Sequence, residues 1–144
     1  MGDYLQYADI VVGEDFGPIE QIFSEDLIRR YCVDWADQNP LYRETSPYGY
    51  RLAPITYDSG RLGADLLGTK FNIGRTIVTK TAQTNLRPVA LGQAVRTTGR
   101  VEEKYVKRGY EYVVVSYTSR DETGQPFRTG IDHLAISLER RAES

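Results

Sequence analysis

The 144-residue chain has few residues that form covalent or metal cross-links, with one cysteine, Cys32, and one histidine, His133. A single cysteine excludes a disulfide within the chain, and one cysteine with one histidine makes no metal-binding constellation. A reducing compartment is therefore the simplest expectation. Cys32 shares a predicted apolar helix face, so we interpret it as a small buried side chain.

Long apolar runs and an excess of one charge are also missing. No stretch approaches the roughly 20 apolar residues that span a bilayer, and the first residues lack a basic and apolar targeting segment. The net charge is -2, and the 18 basic residues form no long run. These absences argue against nucleic acid and membrane as partners. We expect a soluble, cytoplasmic protein with one domain over residues 1–144.

A short polar motif follows the first predicted helix. Residues 25–36 repeat apolar side chains at three- and four-residue spacing, which predicts a helix that Ser24 caps and Pro40 prevents from continuing. The sequence at its end reads Asp37-Gln38-Asn39-Pro40-Leu41-Tyr42. Asp37 and Asn39 are therefore predicted at a helix exit, where short polar side chains bond backbone groups or point into a cleft.

Residues 54–67 are predicted to form a second helix, after a polar loop at residues 43–52. Pro54 suits the first helical position, and Leu62, Leu66 and Leu67 belong to an apolar side. Glycines at positions 60, 63 and 68 weaken a helix by up to about 1 kcal/mol each. Their presence suggests that another backbone packs closely against this helix.

The remaining sequence has the composition of β-strands. Residues 76–84, 94–103, 110–120 and 129–139 are rich in Val, Ile, Thr and Tyr, and two short strands are predicted earlier, at 7–12 and 20–23, on either side of a turn at 15–18. Glycine-containing joints at 88–92, 107–109 and 121–126 are too short for parallel crossovers. The pattern predicts an antiparallel sheet that curls around the glycine-bearing helix.

The polar motif resembles that of the MaoC-like enoyl-CoA hydratases and dehydratases, which reads Asp-x-Asn-Pro-x-His after a helix. Asp37, Asn39 and Pro40 match it, and Tyr42 stands where the family has histidine. Residues 50–54 and 87–93, the latter similar to the family's "P-V-x-x-G-D" turn, extend the resemblance over nearly the whole chain. It is strongest to the degenerate half of two-part members, whose motif often ends in Asn-Pro-x-Tyr. The resemblance implies an α+β hotdog fold, with one antiparallel β-sheet wrapped around a central α-helix.

The resemblance also implies that Asp37, Asn39 and Tyr42 occupy catalytic positions. Hydration of a 2-enoyl thioester needs a base for water, an acid for the α-carbon and donors for the enolate oxygen. In the family, the aspartate and the histidine share the first two roles. A phenol with a pKa of about 10 is protonated at neutral pH, so Tyr42 can donate a proton but cannot simply replace histidine.

Further residues are candidates for substrate binding. The resemblance places the thioester carbonyl at the free amides around Ile55 and Thr56, because a helix N-terminus presents unpaired donors. Tyr50 and Tyr57 would line an acyl or aromatic pocket, or alternatively a dimer interface.

Basic residues and the single histidine leave alternatives open. Arg87, Lys107 and Arg108 are candidate contacts for the phosphates of coenzyme A, and the alternative is scattered surface charge. His133 could act as an acid or base, and its alternative role is that of a bonded structural residue on the strand face opposite Leu134. No metal and no separate cofactor are expected, since coenzyme A would enter as part of the substrate.

The resemblance therefore implies a subunit of a 2-enoyl-CoA hydratase or 3-hydroxyacyl thioester dehydratase, a hydro-lyase acting on an acyl-CoA or acyl-carrier thioester. It would be the degenerate half of a heterodimer or larger complex, beside a homologous hotdog subunit with the intact Asp and His. The alternatives are an active homodimer using Asp37 with Tyr42 or His133, a hotdog acyl-CoA thioesterase, and a non-enzymatic scaffold. An unpaired sheet edge would itself favour dimerisation.

Overall fold

The computed structural model describes residues 6–26, 29–30, 47, 66–71, 76–90 and 92–136. Its elements are a 3₁₀ helix at Tyr7–Asp9 and five strands: β1 at Asp15–Ile22, β2 at Ile77–Asn85, β3 at Ala94–Lys107, β4 at Tyr110–Arg120 and β5 at Pro126–Ala135. The strands form one sheet in the order β1-β3-β4-β5-β2, and every neighbouring pair is antiparallel. The predicted antiparallel sheet is confirmed.

Strands β3, β4 and β5 form a meander, because each hairpin between them has residues suited to a tight turn. Arg108 and Gly109 adopt positive φ values of 54° and 83° between β3 and β4, and Gly124 adopts 88° between β4 and β5. Glycine adopts such angles without steric cost, so both hairpins follow from the sequence. The bounds of β4 agree with the prediction, whereas β3 ends four residues later and β5 begins three residues earlier.

Strand β2 pairs with β5 rather than with β3, which follows it in sequence. The inference that every short joint links antiparallel neighbours is therefore wrong for the segment between β2 and β3. The amides of Leu86 and Arg87 both donate to the carbonyl of Phe127, and the amide of Gly92 donates to the carbonyl of Phe23. The segment thus crosses the end of the curled sheet, from β5 to the residue that follows β1.

Two of the three predictions for the N-terminal segment, a strand at residues 7–12 and a turn at 15–18, are wrong, whereas the strand predicted at 20–23 is confirmed as far as Ile22. Tyr7–Asp9 is a 3₁₀ helix, and residues 15–18 lie within β1, whose register against β3 shifts between Phe16 and Ile19. Phe16 is buried and lies over Gly99 of β3, where a Cβ would come within 2.6 Å of its ring. This packing holds the segment beside β3, so a bulge replaces the turn.

The core lies on one face of the sheet, called the inner face below. It contains Val101, Val113, Val115, Tyr117 and Leu134 from the sheet, with Leu66, Leu67 and Phe71 packed against them. Leu66 and Leu67 are helical and buried, so the described end of the predicted second helix packs on this face. Within the described ranges, no helix is long and apolar enough to cross a membrane.

Candidate functional site

The motif and the predicted thioester pocket lie outside the described residues. This applies to Asp37, Asn39, Tyr42, Tyr50, Ile55, Thr56 and Tyr57, whose roles stay predictions. In the described part of the chain, no three His, Cys, Asp or Glu side chains are grouped so that they could hold a metal ion.

Three polar contacts cross the inner face beside the edge strand β2. Thr81 Oγ1 donates to Asp132 Oδ1 at 2.6 Å, Gln83 Nε2 donates to Tyr117 Oη at 2.7 Å, and Arg128 Nε donates to Asn85 Oδ1 at 2.8 Å. Asp132 and Arg128 are 7% and 3% exposed. Each buried charge therefore has a hydrogen-bond partner on β2. We call these six residues the polar row.

Gly130 allows the central contact of the polar row. A Cβ at this position would lie 2.7 Å from Tyr117 Cε1, closer than side chains tolerate, so the buried Tyr117 ring covers the backbone of β5. The phenol thereby reaches from β4 across β5 to Gln83 on β2. Sequence analysis did not single out this pair, although an isolated glycine inside a strand is a recognised signal of close approach.

His133 lies on the outer face of the sheet, opposite the inner face. Its strand neighbour Leu134 is in the core, which confirms the predicted alternation. His133 Nδ1 lies 3.3 Å from Tyr105 Oη, and Tyr105 stacks on Tyr112 with ring centroids 5.0 Å apart. Burial, followed by the charges of Tyr112 and Glu103, raises the pKa of Tyr105, so its hydroxyl stays protonated and can donate to Nδ1. This geometry favours a structural role for His133.

The three basic candidates are not brought together. Arg87 donates to Asp121 Oδ2 at 2.6 Å and to the carbonyl of Pro126 at 3.1 Å, and its guanidinium lies 4.2 Å from the Phe127 ring centre. Lys107 and Arg108 lie in the hairpin at the other end of β4, a strand of 11 residues. Eleven residues of strand span roughly 33 Å, so one phosphate group cannot contact all three.

Arg87 and Asp121 hold the β4–β5 hairpin. Asp121 Oδ1 accepts from Thr123 Oγ1 at 2.7 Å and from the amides of Thr123 and Gln125 at 2.8 and 3.0 Å. The pKa of Asp121 lies well below its usual range. The hydrogen bond from the Thr123 hydroxyl lowers it most, and those from Arg87 and the two amides lower it further. These groups stabilise the charged carboxylate only in the folded chain.

An Asp121→Asn substitution should therefore reduce stability in a pH-dependent way. Because the folded-state pKa is lowered, the contribution of Asp121 is fully present above the ordinary carboxyl pKa of about 4 and is lost as the pH falls towards the folded-state value. Urea unfolding of both proteins from about pH 7 to about pH 2.5 should show a difference that shrinks below about pH 4. The exposed neighbour Glu122, changed to Gln, is the control. A constant difference between wild type and Asp121→Asn would contradict the assignment.

Solved structures show which fold this sheet belongs to, whereas no protein-family model and no curated protein matches the sequence. The (R)-hydratase PhaJ1 from Pseudomonas aeruginosa aligns with a TM-score of 0.77 and 22% identity over 96% of this chain and 92% of its own. The (R)-hydratase from A. caviae, involved in PHA biosynthesis, aligns with a TM-score of 0.76 and 16% identity over 88% and 97%.

A two-part enzyme also has this fold. The HadBC (3R-hydroxyacyl-ACP dehydratase) complex from Mycobacterium tuberculosis aligns with a TM-score of 0.69 and 14% identity over 87% of this chain and 96% of the matched chain. The three neighbours are hotdog proteins, and the predicted hotdog fold is confirmed. At these identities the likeness establishes the fold.

Proposed function

We propose that this chain is a subunit of a MaoC-like 2-enoyl-CoA hydratase or 3-hydroxyacyl thioester dehydratase. The observation that carries the proposal is the sequence Asp37-Gln38-Asn39-Pro40-Leu41-Tyr42 in a chain with a hotdog sheet. The Asn-Pro step after Asp37 favours hydration over thioester hydrolysis, which the fold alone cannot distinguish. The fold shared with two (R)-hydratases supports the same choice.

Tyr42 makes this chain the supporting half of the enzyme. A base must take a proton from water while an acid protonates the α-carbon, and a protonated phenol supplies only the second of these functions. A homologous subunit with the intact Asp and His would carry the chemistry. Tyr50 and Tyr57 would contribute to the acyl pocket, and the amides of Ile55 and Thr56 would hold the thioester oxygen. That a hotdog dehydratase of the same fold is a two-part complex supports this arrangement.

The exposed edge strand β2 supports the presence of a partner subunit. All nine residues of β2 are exposed, and the apolar residues Ile77 and Val78 are 53% and 51% exposed. Edge strands with apolar side chains are usually covered or paired, because their free backbone groups otherwise recruit other chains. A partner strand along β2 would lie directly beside the polar row and would place the partner's residues at the inner face of this chain.

A hydration assay tests the proposed function. The chain is purified alone and then with a homologous hotdog subunit encoded beside it, and the loss of the enoyl absorbance of crotonyl-CoA and of an aryl enoyl-CoA is followed. We expect activity only with the partner. Full activity of the chain alone would show a self-sufficient homodimer, and release of free coenzyme A thiol without hydration would show a thioesterase. If acyl thioesters neither react nor stabilise the complex, the chain is a scaffold.

A further inference from the structure

A cavity of about 550 Å³ opens at the end of the sheet formed by β1, β3, β4 and the β4–β5 hairpin. Its polar lining consists of Glu20, Arg96, Thr98, Arg120, Asp121 and Glu122. The volume lies in the range of small-molecule sites, about 300 to 1,000 Å³. Arg96 and Thr98 alternate along β3 with the buried Val95 and Thr97, so their side chains are on the outer face.

Two arginines face each other in this cavity. Arg96 and Arg120 are directly opposite in the β3–β4 ladder, and like charges at such positions repel. The ladder reaches this pairing through the register shift between Val101 and Glu103. An uninterrupted ladder counted from Lys107 opposite Tyr110 would instead put Arg96 opposite Asp121, so the irregularity exchanges an attractive pair for a repulsive one.

Within the described part of the chain, neither guanidinium is neutralised by a carboxylate. Among the described residues, no carboxylate oxygen lies within 4.0 Å of Arg96 or Arg120. Arg120 Nη1 makes one long contact, 3.4 Å, to Thr98 Oγ1, which leaves most of its N–H groups available. Asp121 is not a counter-ion for either arginine, since its carboxylate already accepts hydrogen bonds from Arg87, Thr123 and Gln125.

The two other carboxylates of the cavity flank the arginine pair. Glu20 lies on β1 directly opposite Arg96, and β1 flanks β3 on the side away from β4. Glu122 lies in the β4–β5 hairpin, beyond Arg120. Adjacent strands are about 5 Å apart, so an anion centred between the two arginines stands more than a strand width from Glu20. The strongest attraction for an anion is therefore between Arg96 and Arg120.

We propose that this cavity binds a phosphate-bearing ligand, with Arg96 and Arg120 contacting the phosphate oxygens and the hydroxyl of Thr98 donating a further hydrogen bond. The planar guanidinium matches phosphate through two parallel N–H···O bonds, which a cross-strand arginine pair presents from both sides. The ligand is either coenzyme A or a free nucleotide or pyrophosphate, which carry the same group. Arg87, Lys107 and Arg108 do not line this cavity, although Arg87 bonds to its Asp121, and the site does not require the proposed hydratase activity.

Isothermal titration calorimetry tests this site with pyrophosphate, ADP and coenzyme A as separate probes. Arg96→Gln and Arg120→Gln should each weaken binding about tenfold, because each removes charge-assisted hydrogen bonds to the phosphate. Arg100→Gln is the matched control, since Arg100 is an exposed arginine of the same strand and face that does not line the cavity. Glu20→Gln should strengthen binding, because it removes a nearby negative charge.

The outcomes separate the ligand's source from the site itself. Coenzyme A binding more tightly than ADP and pyrophosphate would identify coenzyme A as the ligand, and equal binding of the three would identify the phosphate group alone. If no probe binds, or if Arg100→Gln weakens binding as much as Arg96→Gln, the proposal is overturned. Arg120→Lys, which keeps the charge without the planar fork, should fall between wild type and Arg120→Gln and covers the case in which the glutamine variant does not fold. A chain that binds coenzyme A here but supports no hydration would refute only the proposed function.

Discussion

Asp37→Asn in this chain should leave the hydratase activity of the proposed two-subunit complex within about twofold, whereas removing the proposed partner's Asp or His should lower it by about 10² to 10⁴. The asymmetry follows from Tyr42, because a carboxylate whose neighbour is a protonated phenol lacks the second titrating group that completes proton transfer. The measurement is kcat and kcat/KM on crotonyl-CoA for each variant of the reconstituted complex.

Tyr42→Phe is the matched control for Asp37→Asn. It removes only the hydroxyl from the motif, so a supporting subunit should tolerate it as well as it tolerates Asp37→Asn. If Asp37→Asn alone abolishes activity, the aspartate of this chain is catalytic and the supporting role is wrong. If Tyr42→Phe alone abolishes activity, the phenol donates a proton to the substrate, and the two subunits share one reaction.

Gly130→Ala should destabilise the chain by about 1 to 3 kcal/mol, the usual cost of forcing an extra group into a packed core. The new methyl group would overlap the ring of Tyr117, which is buried and cannot turn aside without losing its contact with Gln83. Urea unfolding at neutral pH measures the change, and a variant as stable as wild type would contradict the close packing.

A double-mutant cycle separates overlap from a general effect of alanine in β5. Tyr117→Leu removes the ring that the methyl group would strike, so adding Gly130→Ala to this background should cost much less than adding it to wild type. Equal costs in both backgrounds would mean that the effect arises in the strand itself and that Tyr117 is not the neighbour concerned.

The meander was predictable because its signals are local. Each hairpin has a glycine where φ is positive, and β4 has the β-branched and aromatic composition of a strand between two turns. The partner of β2 was not predictable, since the choice between β3 and β5 depends on how the whole sheet curls. The segment 15–18 was misassigned for a related reason. Its turn-like residues are outweighed by the packing of Phe16 over Gly99, which only the assembled sheet provides.

The features of the candidate sites also differ in how far the sequence alone predicts them. Asp132 shares a strand face with Leu134, so alternation is enough to turn its carboxylate towards the core, although no local signal points to its partner Thr81, which comes from a strand distant in sequence. The arginine pair could not be derived, because it exists only through the register shift between Val101 and Glu103. A sequence shows which residues share a face, and irregularities in the ladder determine which of them meet.

The exposure of β2 has a consequence for the thermodynamics of the whole chain. Within the described sheet this strand is held by one ladder, to β5, so any chain that adds a second ladder binds the native state and not the unfolded one. Binding of that kind raises the apparent stability with the logarithm of the partner's free concentration. If the proposed partner pairs with β2, the melting temperature of this chain should rise with the free concentration of that partner.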